Sequence, residues 1–164
     1  IACHAKAHGP MWEPLLGTQS HDEREAKMEA RARELLGVMG LGDRAEEQAK
    51  NLPYGLQRRL EIARALGADP KVLCLDEPAA GMNATETAAL MALIHDIRDR
   101  FGVAVLLIEH DMKLVMGISE RLIVLDHGVT IASGKPEDVR KNPKVIEAYL
   151  GVEEGHKALD TEGA

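Results

Sequence analysis

The sequence contains few aromatic residues and few cysteines, and it carries no excess of positive charge. Only 2% of its 164 residues are aromatic, which argues against stacking on bases as a main mode of binding. The formal net charge of -7 argues against a general nucleic-acid binder. Its two cysteines, Cys3 and Cys74, form neither a disulfide framework nor a metal-ligand pattern, and Cys74 is expected in the core. No apolar run approaches the roughly 20 residues that a membrane-spanning helix needs.

The remaining composition, 45% hydrophobic and 29% charged, is typical of a globular domain, and residues 72–83 carry its most informative pattern. Four apolar residues, 72–75, predict a short strand that is buried on both faces. Asp76 and Glu77 follow directly, and Pro78 cannot continue a sheet ladder. Two carboxylates at the end of a buried strand indicate a site that meets a cation or moves a proton. An ordinary acidic turn in solvent has the same pattern.

Two further segments flank this strand. Residues 51–66 read Asn-Leu-Pro-Tyr-Gly-Leu-Gln-Arg-Arg-Leu-Glu-Ile-Ala-Arg-Ala-Leu, and residues 103–111 end in Ile-Glu-His-Asp. A signature loop with its helix, then an acidic strand, then a strand followed by histidine, in this order and spacing, resemble the ATP-binding cassette (ABC) ATPase family. The resemblance extends from about residue 35 to residue 151.

The resemblance implies the α/β fold of the P-loop NTPases, here as a partial domain. We expect a helical subdomain that contains the signature loop at residues 1–69. Part of the parallel sheet core, with a carboxyl-terminal hairpin, is expected at residues 70–151. Residues 152–164 are polar and contain glycine, so we expect a flexible tail.

The same resemblance implies roles for individual residues, with ATP and Mg²⁺ as cofactors. Asp76 would hold the magnesium ion through water, and Glu77 would be the general base of hydrolysis. His110 would be the switch histidine that contacts the γ-phosphate. The implied cofactor-binding residues are those of the signature loop and one residue of the loop that communicates between two ATP sites: Pro53, Tyr54, Gly55, Leu56 and Asn83.

The sequence departs from the family pattern in the signature loop. Pro53 replaces the usual small hydroxyl residue and Leu56 replaces the usual Gln, so either Gly55 still serves or the phosphate contact is weakened. The sequence also lacks the Gly-rich loop ending in Gly-Lys-Ser/Thr that an ATPase of this class needs. Because it does not begin with Met either, we expect the carboxyl-terminal part of a longer protein, inactive by itself.

Within the family, the sequence is most similar to the ATPase subunit of branched-chain amino-acid uptake systems. The residues that carry this resemblance are Tyr54, Gly55 and segments 79–83, 109–112 and 142–151. It implies import of a small solute, with membrane permease subunits and a second ATPase subunit as partners and a periplasmic binding protein as an indirect one. It also implies no nucleic-acid partner and a peripheral location on the cytoplasmic face of the membrane. A lipopolysaccharide-export ATPase and a non-hydrolysing regulatory cassette are alternatives. A DNA-repair or translation ATPase is a third, but the sequence contains no long heptad run of the kind that their coiled-coil insertions carry.

Local patterns predict the remaining elements. Ser20 begins a capping box and should start a helix, which Gly40 and Gly42 should end. The buried stripe of that helix is predicted to be Met28, Ala32, Leu35 and Met39, and that of the signature helix to be Leu56, Leu60, Ala63 and Gly67. Other helices are expected at residues 43–50, 84–100, 112–118, 136–141 and 143–150. The core side of the helix at residues 84–100 is predicted to be Leu90, Leu93, Ile94 and Ile97. A buried strand is expected at residues 103–108, and a hairpin at residues 122–132 with its turn at His127 and Gly128.

Residues 10–17 predict an irregular loop, because two prolines and a tryptophan interrupt any regular pattern. We expect this loop and the helix after it to dock on a membrane permease. Trp12 is then either an anchor of that interface or a residue that packs in the small core of the helical subdomain.

Overall fold

The computed structural model describes Cys3 and residues 19–150, and the chain forms two compact units. The first unit ends at Leu106 and the second begins at Leu107. The first unit therefore carries the signature segment and the acidic strand, whereas the second carries His110 and the predicted hairpin.

Some predictions concern residues that the structure does not describe. The loop at residues 10–17, with Trp12, and the tail at residues 152–164 lie outside the described residues. The predicted limits of the helical and core segments, at residues 69 and 151, stay predictions.

Helix α1 (Gln19–Val38) is the first helix of the described chain. Ser20 is already helical there, so its predicted position as the N-cap was wrong. Sequence alone could not separate the two positions, since serine is also accommodated inside a helix. Gly40, at a φ of 70°, follows the last turn, and the N–H of Leu41 donates to the carbonyl of Leu36 at 2.8 Å. This left-handed glycine ends the helix as predicted.

The predicted apolar stripe of α1 faces the core. Leu35 and Met39 are buried, and Met28 and Ala32 are half-buried. The stripe is most buried near the carboxyl end, where α1 packs against the helix that follows the signature loop.

The segment at residues 43–50 does not form the predicted short helix. It contains two 3₁₀ turns, Gly42–Arg44 and Ala49–Asn51. Leu41 and Leu52 are buried on either side, so the polar residues between these two anchors follow the surface in tight turns.

Helix α2 (Tyr54–Leu66) carries the signature segment. Within its predicted stripe, Ala63 and Gly67 are buried, but Leu56 and Leu60 are only half-buried. Like Met28 and Ala32 in α1, these two leucines are less buried than the rest of their stripe. The core side of the helix is instead completed by two other buried residues, Ile62 and Leu66.

Strands β1 (Val72–Asp76) and β2 (Ala104–Ile108) are hydrogen-bonded neighbours in a two-stranded sheet. Helix α3 (Ala84–Phe101) connects them, and a helical connection of this kind is what parallel strands need. The core face of α3 is the predicted one, formed by Leu90, Leu93, Ile94 and Ile97.

Both strands are less buried than predicted. Leu73 and Leu75 are buried, but Val72 is 54% exposed and Cys74 is also exposed. Leu106 in β2 is likewise 54% exposed. Burial on both faces was a wrong prediction, because a short apolar run does not distinguish one covered face from two. Among the described residues only one face of β1 is covered.

The second unit contains helix α4 (Met112–Ile118) and the predicted hairpin. Strands β3 (Leu122–Asp126) and β4 (Val129–Gly134) pair antiparallel across a turn at His127 and Gly128. Both turn residues have a positive φ, 47° and 80°, as a two-residue turn of type I′ requires.

Helices α5 (Pro136–Val139) and α6 (Pro143–Val145) follow, and both pack on β4. Each begins at a proline, as predicted. Helix α5 is shorter than the predicted helix at residues 136–141. The predicted helix at residues 143–150 consists of α6 and a π-helical turn, Ile146–Leu150. No helix within residues 19–150 combines the length and the apolar character needed to cross a bilayer.

Candidate functional site

The signature loop, residues 53–56, forms the start of α2. Pro53 is the N-cap, and its carbonyl accepts a hydrogen bond from the N–H of Leu56 at 2.9 Å. The N–H groups of Tyr54 and Gly55 lie in the first turn, where a helix has no internal acceptor for them. They are therefore the donors of this loop that suit an anion at a helix N-terminus.

A cavity of about 100 Å³ lies beside the signature loop. It is lined by Pro53, Gly55 and Leu56, and also by Met82 and Glu86 from the chain after β1. A Cβ atom on Gly55 would lie 3.8 Å from Glu86 Oε1, in ordinary van der Waals contact. The fold thus brings the signature loop next to the loop at residues 79–83.

The acidic pair lies where β1 ends. Asp76 is its last residue, and Glu77 follows in a turn; both are exposed. Glu77 has a φ of 42°, which is uncommon for a residue other than glycine and is a feature that clusters at functional sites. The carbonyl of Glu77 accepts a hydrogen bond from the N–H of Ala80 at 3.1 Å, which fixes this turn.

A second cavity, of about 170 Å³, connects the acidic strand with the signature helix. Asp76, Cys74 and Pro78 line it from the strand and its turn, and Arg58 and Glu61 line it from α2. A cation and two carboxylates therefore share one cavity within the first unit.

Asn83 is the N-cap of α3 and forms a complete capping box. Its Oδ1 accepts hydrogen bonds from the N–H groups of Thr85 and Glu86, both at 3.0 Å. Its own N–H donates to Glu86 Oε2 at 3.0 Å. The side-chain oxygen of Asn83 thus caps the helix, whereas its amide N–H₂ group takes no part in the cap.

His110 lies in the second unit, directly before the N-cap of α4. It is exposed, and Asp111 next to it caps the helix by accepting hydrogen bonds from Lys113 and Leu114 at 2.8 and 3.2 Å. The cap fixes the backbone on the carboxyl side of His110. The structure thus places His110 at the junction of β2 and α4.

Comparisons with known proteins bear on the family as a whole. A family model described as "ABC transporter" matches residues 7–80, and one described as "Branched-chain amino acid ATP-binding cassette transporter" matches residues 129–155. Over 151 residues the chain is 54% identical to the high-affinity branched-chain amino acid transport ATP-binding protein BraF of Pseudomonas aeruginosa. It is 48% identical over 151 residues to the protein LivG of the same description from Escherichia coli K12. The chain belongs to the ABC ATPase family.

The alignments cover 92% of this chain, and the chain spans 59% of the length of each of these two relatives. Among solved structures, it is similar to the ADP conformation of MJ1267, an ATP-binding cassette of an ABC transporter. That similarity has a TM-score of 0.70 at 29% identity and covers 76% of this chain and 50% of MJ1267. The predicted fold class, the α/β fold of the P-loop NTPases, is confirmed.

The cofactors of an ABC ATPase can be tested against the residues present. In nucleotide sites Mg²⁺ is usually held by one or two carboxylates together with phosphate oxygens and water. Asp76, which offers one exposed carboxylate, fits that role. Among the described residues, no group of three or more His, Cys, Asp or Glu side chains could hold a metal ion without such help. The two N–H donors of Tyr54 and Gly55 fit a phosphate oxygen.

The sequence analysis missed a network on the signature helix. Arg58 Nε donates to Tyr54 Oη at 3.0 Å, and Arg58 Nη1 lies 2.8 Å from Glu61 Oε2. The hydrogen bond to Glu61, followed by that to Tyr54, raises the pKa of Arg58 because both favour the charged guanidinium. The spacings i, i+4 and i, i+3 along one helix were the signal that could have revealed it.

Proposed function

We propose that this chain forms part of the ATP-hydrolysing subunit of an ABC transporter that imports branched-chain amino acids. The observation that carries the proposal is the acidic pair, Asp76 and Glu77, which ends β1 beside a cavity shared with the signature helix. The printed descriptions of BraF and LivG name the amino-acid class that we propose as the cargo.

Hydrolysis requires a base that takes a proton from the attacking water. We assign this role to Glu77, whose positive φ sets it apart from the strand that precedes it. In this scheme a carboxylate oxygen of Glu77 accepts a hydrogen bond from water and then its proton. His110 contacts the γ-phosphate through its imidazole.

Asp76 is proposed to hold Mg²⁺ through a water ligand. The ion, when bound, would neutralise the negative charge that develops on the phosphate. Because Asp76 lies on the exposed face of β1, its carboxylate reaches solvent without a large desolvation cost.

The signature loop is proposed to contact ATP that a second ATPase subunit holds. Tyr54 and Gly55 supply N–H donors, whereas Pro53 has neither an N–H nor a hydroxyl, and Leu56 is apolar. The phosphate contact in this protein therefore rests on the backbone of two residues. Asn83 belongs to the neighbouring loop and communicates between the two ATP sites.

The partners that we propose follow from the same role. They are the membrane permease subunits and a second ATPase subunit, with a periplasmic binding protein linked only through the permease. The location is then the cytoplasmic face of the membrane, and no nucleic acid is involved.

One specific observation favours a second candidate, a non-hydrolysing regulatory cassette. Pro53 caps α2 without any side-chain hydrogen bond, so the loop has lost the hydroxyl that the family usually presents to phosphate. Asp76, Glu77 and His110 argue against this candidate, because a cassette that only binds ATP has no use for a general base.

Uptake by the assembled transporter tests the proposal. The transporter should be purified with its permease, placed in vesicles with ATP on the side of the ATPase, and supplied with labelled leucine and its binding protein. We expect ATP-dependent leucine uptake that unlabelled isoleucine and valine inhibit and glutamate does not. ATP turnover without any uptake of these amino acids would contradict the proposed cargo, and outward movement of a lipid would favour the export alternative.

A further inference from the structure

The side chain of Tyr54 joins the signature loop to the loop that follows the acidic pair. A Cβ atom built on Gly81 would lie 3.7 Å from Tyr54 Cε1, which is ordinary van der Waals contact. Gly81 itself has a φ of 75°, a backbone conformation that residues with a side chain rarely adopt. The tyrosine ring therefore lies about one side-chain carbon away from the backbone of this loop, and Tyr54 is 48% exposed.

Arg58 also contacts the side chain of Tyr54. Its guanidinium carbon lies 5.2 Å from the centroid of the Tyr54 ring, while its Nε donates to the tyrosine hydroxyl at 3.0 Å. Glu61 in turn fixes the guanidinium, with 2.8 Å between Glu61 Oε2 and Arg58 Nη1. Arginine suits this arrangement because its planar fork can stack on a ring and donate two hydrogen bonds at once.

These contacts relate two parts of the site that are distant in sequence. The ring belongs to the second residue of the signature loop, whereas Gly81 lies between the turn of Glu77 and the N-cap Asn83. The same arginine also lines the cavity that Asp76 lines. Arg58 therefore lies beside both the signature loop and the acidic strand.

We propose that Tyr54, Arg58 and Glu61 form a latch that fixes the signature loop against the loop at residues 79–83. Arg58 acts as a positioning residue, because it contacts Tyr54 and Glu61 and lines the cavity beside Asp76. The latch compensates for Pro53, which leaves the loop without a side-chain cap. The effect of the latch on the KM for ATP rests on the proposed ATPase function, but its effect on amide exchange in the two loops does not.

Hydrogen exchange and steady-state kinetics on the assembled transporter test the latch. Arg58→Leu removes the guanidinium and keeps a residue of good helix propensity. Tyr54→Phe removes only the hydroxyl, and Glu61→Gln removes only the charge that fixes Arg58. Arg64→Leu is the matched control, since it removes an exposed arginine from the same helix and no side-chain hydrogen bond of Arg64 appears among those that the structure describes.

Without nucleotide, Arg58→Leu should speed amide exchange in both residues 53–56 and residues 79–83, with Tyr54→Phe intermediate and Arg64→Leu like the wild type. With ATP, Arg58→Leu should raise the KM by roughly threefold to tenfold, the size expected from a half-exposed cation–π contact and one hydrogen bond, and leave kcat within about twofold.

Exchange in Arg58→Leu no faster than in Arg64→Leu would overturn the latch, whatever the ATPase activity. If exchange is faster in Arg58→Leu and the wild-type transporter hydrolyses no ATP, the latch is supported and the proposed function is contradicted. If Arg58→Leu does not fold, Tyr54→Phe and Glu61→Gln decide the matter. Unchanged exchange in both loops of both variants would overturn the latch.

Discussion

Asp76 shows how much a single position can be predicted from its neighbours. Its place at the end of β1 followed from the apolar run before it, and the structure has it there. Its exposure did not follow, because alternation along a strand puts Asp76 on the same face as Val72 and Cys74, and that face is uncovered in the described residues. Sequence identified the carboxylate, and packing decided which face carries it.

His110→Ala tests the proposed contact with the γ-phosphate. We expect kcat for ATP hydrolysis to fall by about 10²-fold or more, as when one preorganised donor is removed, with ADP affinity unchanged. Steady-state turnover and calorimetry with ADP measure the two effects. His127→Asn is the control, because the side chain of His127 is 94% exposed in the hairpin turn and asparagine accepts the positive φ of that position. Equal losses of ADP and ATP affinity in His110→Ala would contradict a γ-phosphate contact.

Arg31 contributes more to stability than other arginines of α1. It pairs with Asp69 at 2.9 Å and with Glu34 at 2.8 Å, and its guanidinium carbon lies 5.2 Å from the Phe101 ring centroid. We expect Arg31→Ala to lower the free energy of unfolding by about 1 kcal/mol, measured by denaturant titration. Arg33→Ala, which removes an arginine paired only with exposed carboxylates, should have a clearly smaller effect. The reverse order would show that Arg31 does not tie α1 to the rest of the unit.

At the scale of elements, the patterns with a strong local cause were predicted well. The hairpin was predicted from a two-residue turn, and the core face of α3 from its helical period. The segment at residues 43–50 failed because its shape depends on two distant anchors, Leu41 and Leu52, that no local propensity reports. The start of α1 failed because a capping pattern does not force the helix to begin there.

The capping box of α3 makes a measurable contribution. Asn83→Ala removes the acceptor for two N–H groups, so we expect a loss of about 1 kcal/mol in the free energy of unfolding. Asn83→Asp keeps an acceptor at the N-cap and should restore most of that loss. Denaturant titration of both variants provides the test. An Asn83→Ala protein as stable as the wild type would show that water replaces the cap.

At the scale of the whole molecule, the order of the motifs predicted the family, because each motif occurs on one kind of element: a loop with its helix, a strand, and a second strand. The latch of Tyr54, Arg58 and Glu61 was beyond such an argument. Its partner Gly81 lies 27 residues after Tyr54 in the sequence and meets it only through the packing of α2 against the chain after β1. Contacts between distant segments depend on the final packing and not on local pattern.

The chain of 164 residues contains no Gly-rich loop ending in Gly-Lys-Ser/Thr. Since that loop and its lysine supply most of the grip on the phosphates, we predict that residues 1–164 alone bind ATP weakly and do not hydrolyse it. Calorimetry with ATP and Mg²⁺ on this chain measures the affinity. Micromolar binding, or turnover comparable with that of the assembled transporter, would contradict this prediction.

Glu77→Gln in the assembled transporter tests the central claim, hydrolysis driven by a general base at the end of β1, most directly. Phosphate release and ATP binding should be measured on the same preparation, with Glu137→Gln, which removes an exposed carboxylate of the second unit, as the control for loss of one charge. We predict that Glu77→Gln retains ATP binding and loses about 10²–10⁴-fold in turnover. Turnover within a few-fold of the wild type would contradict the claim.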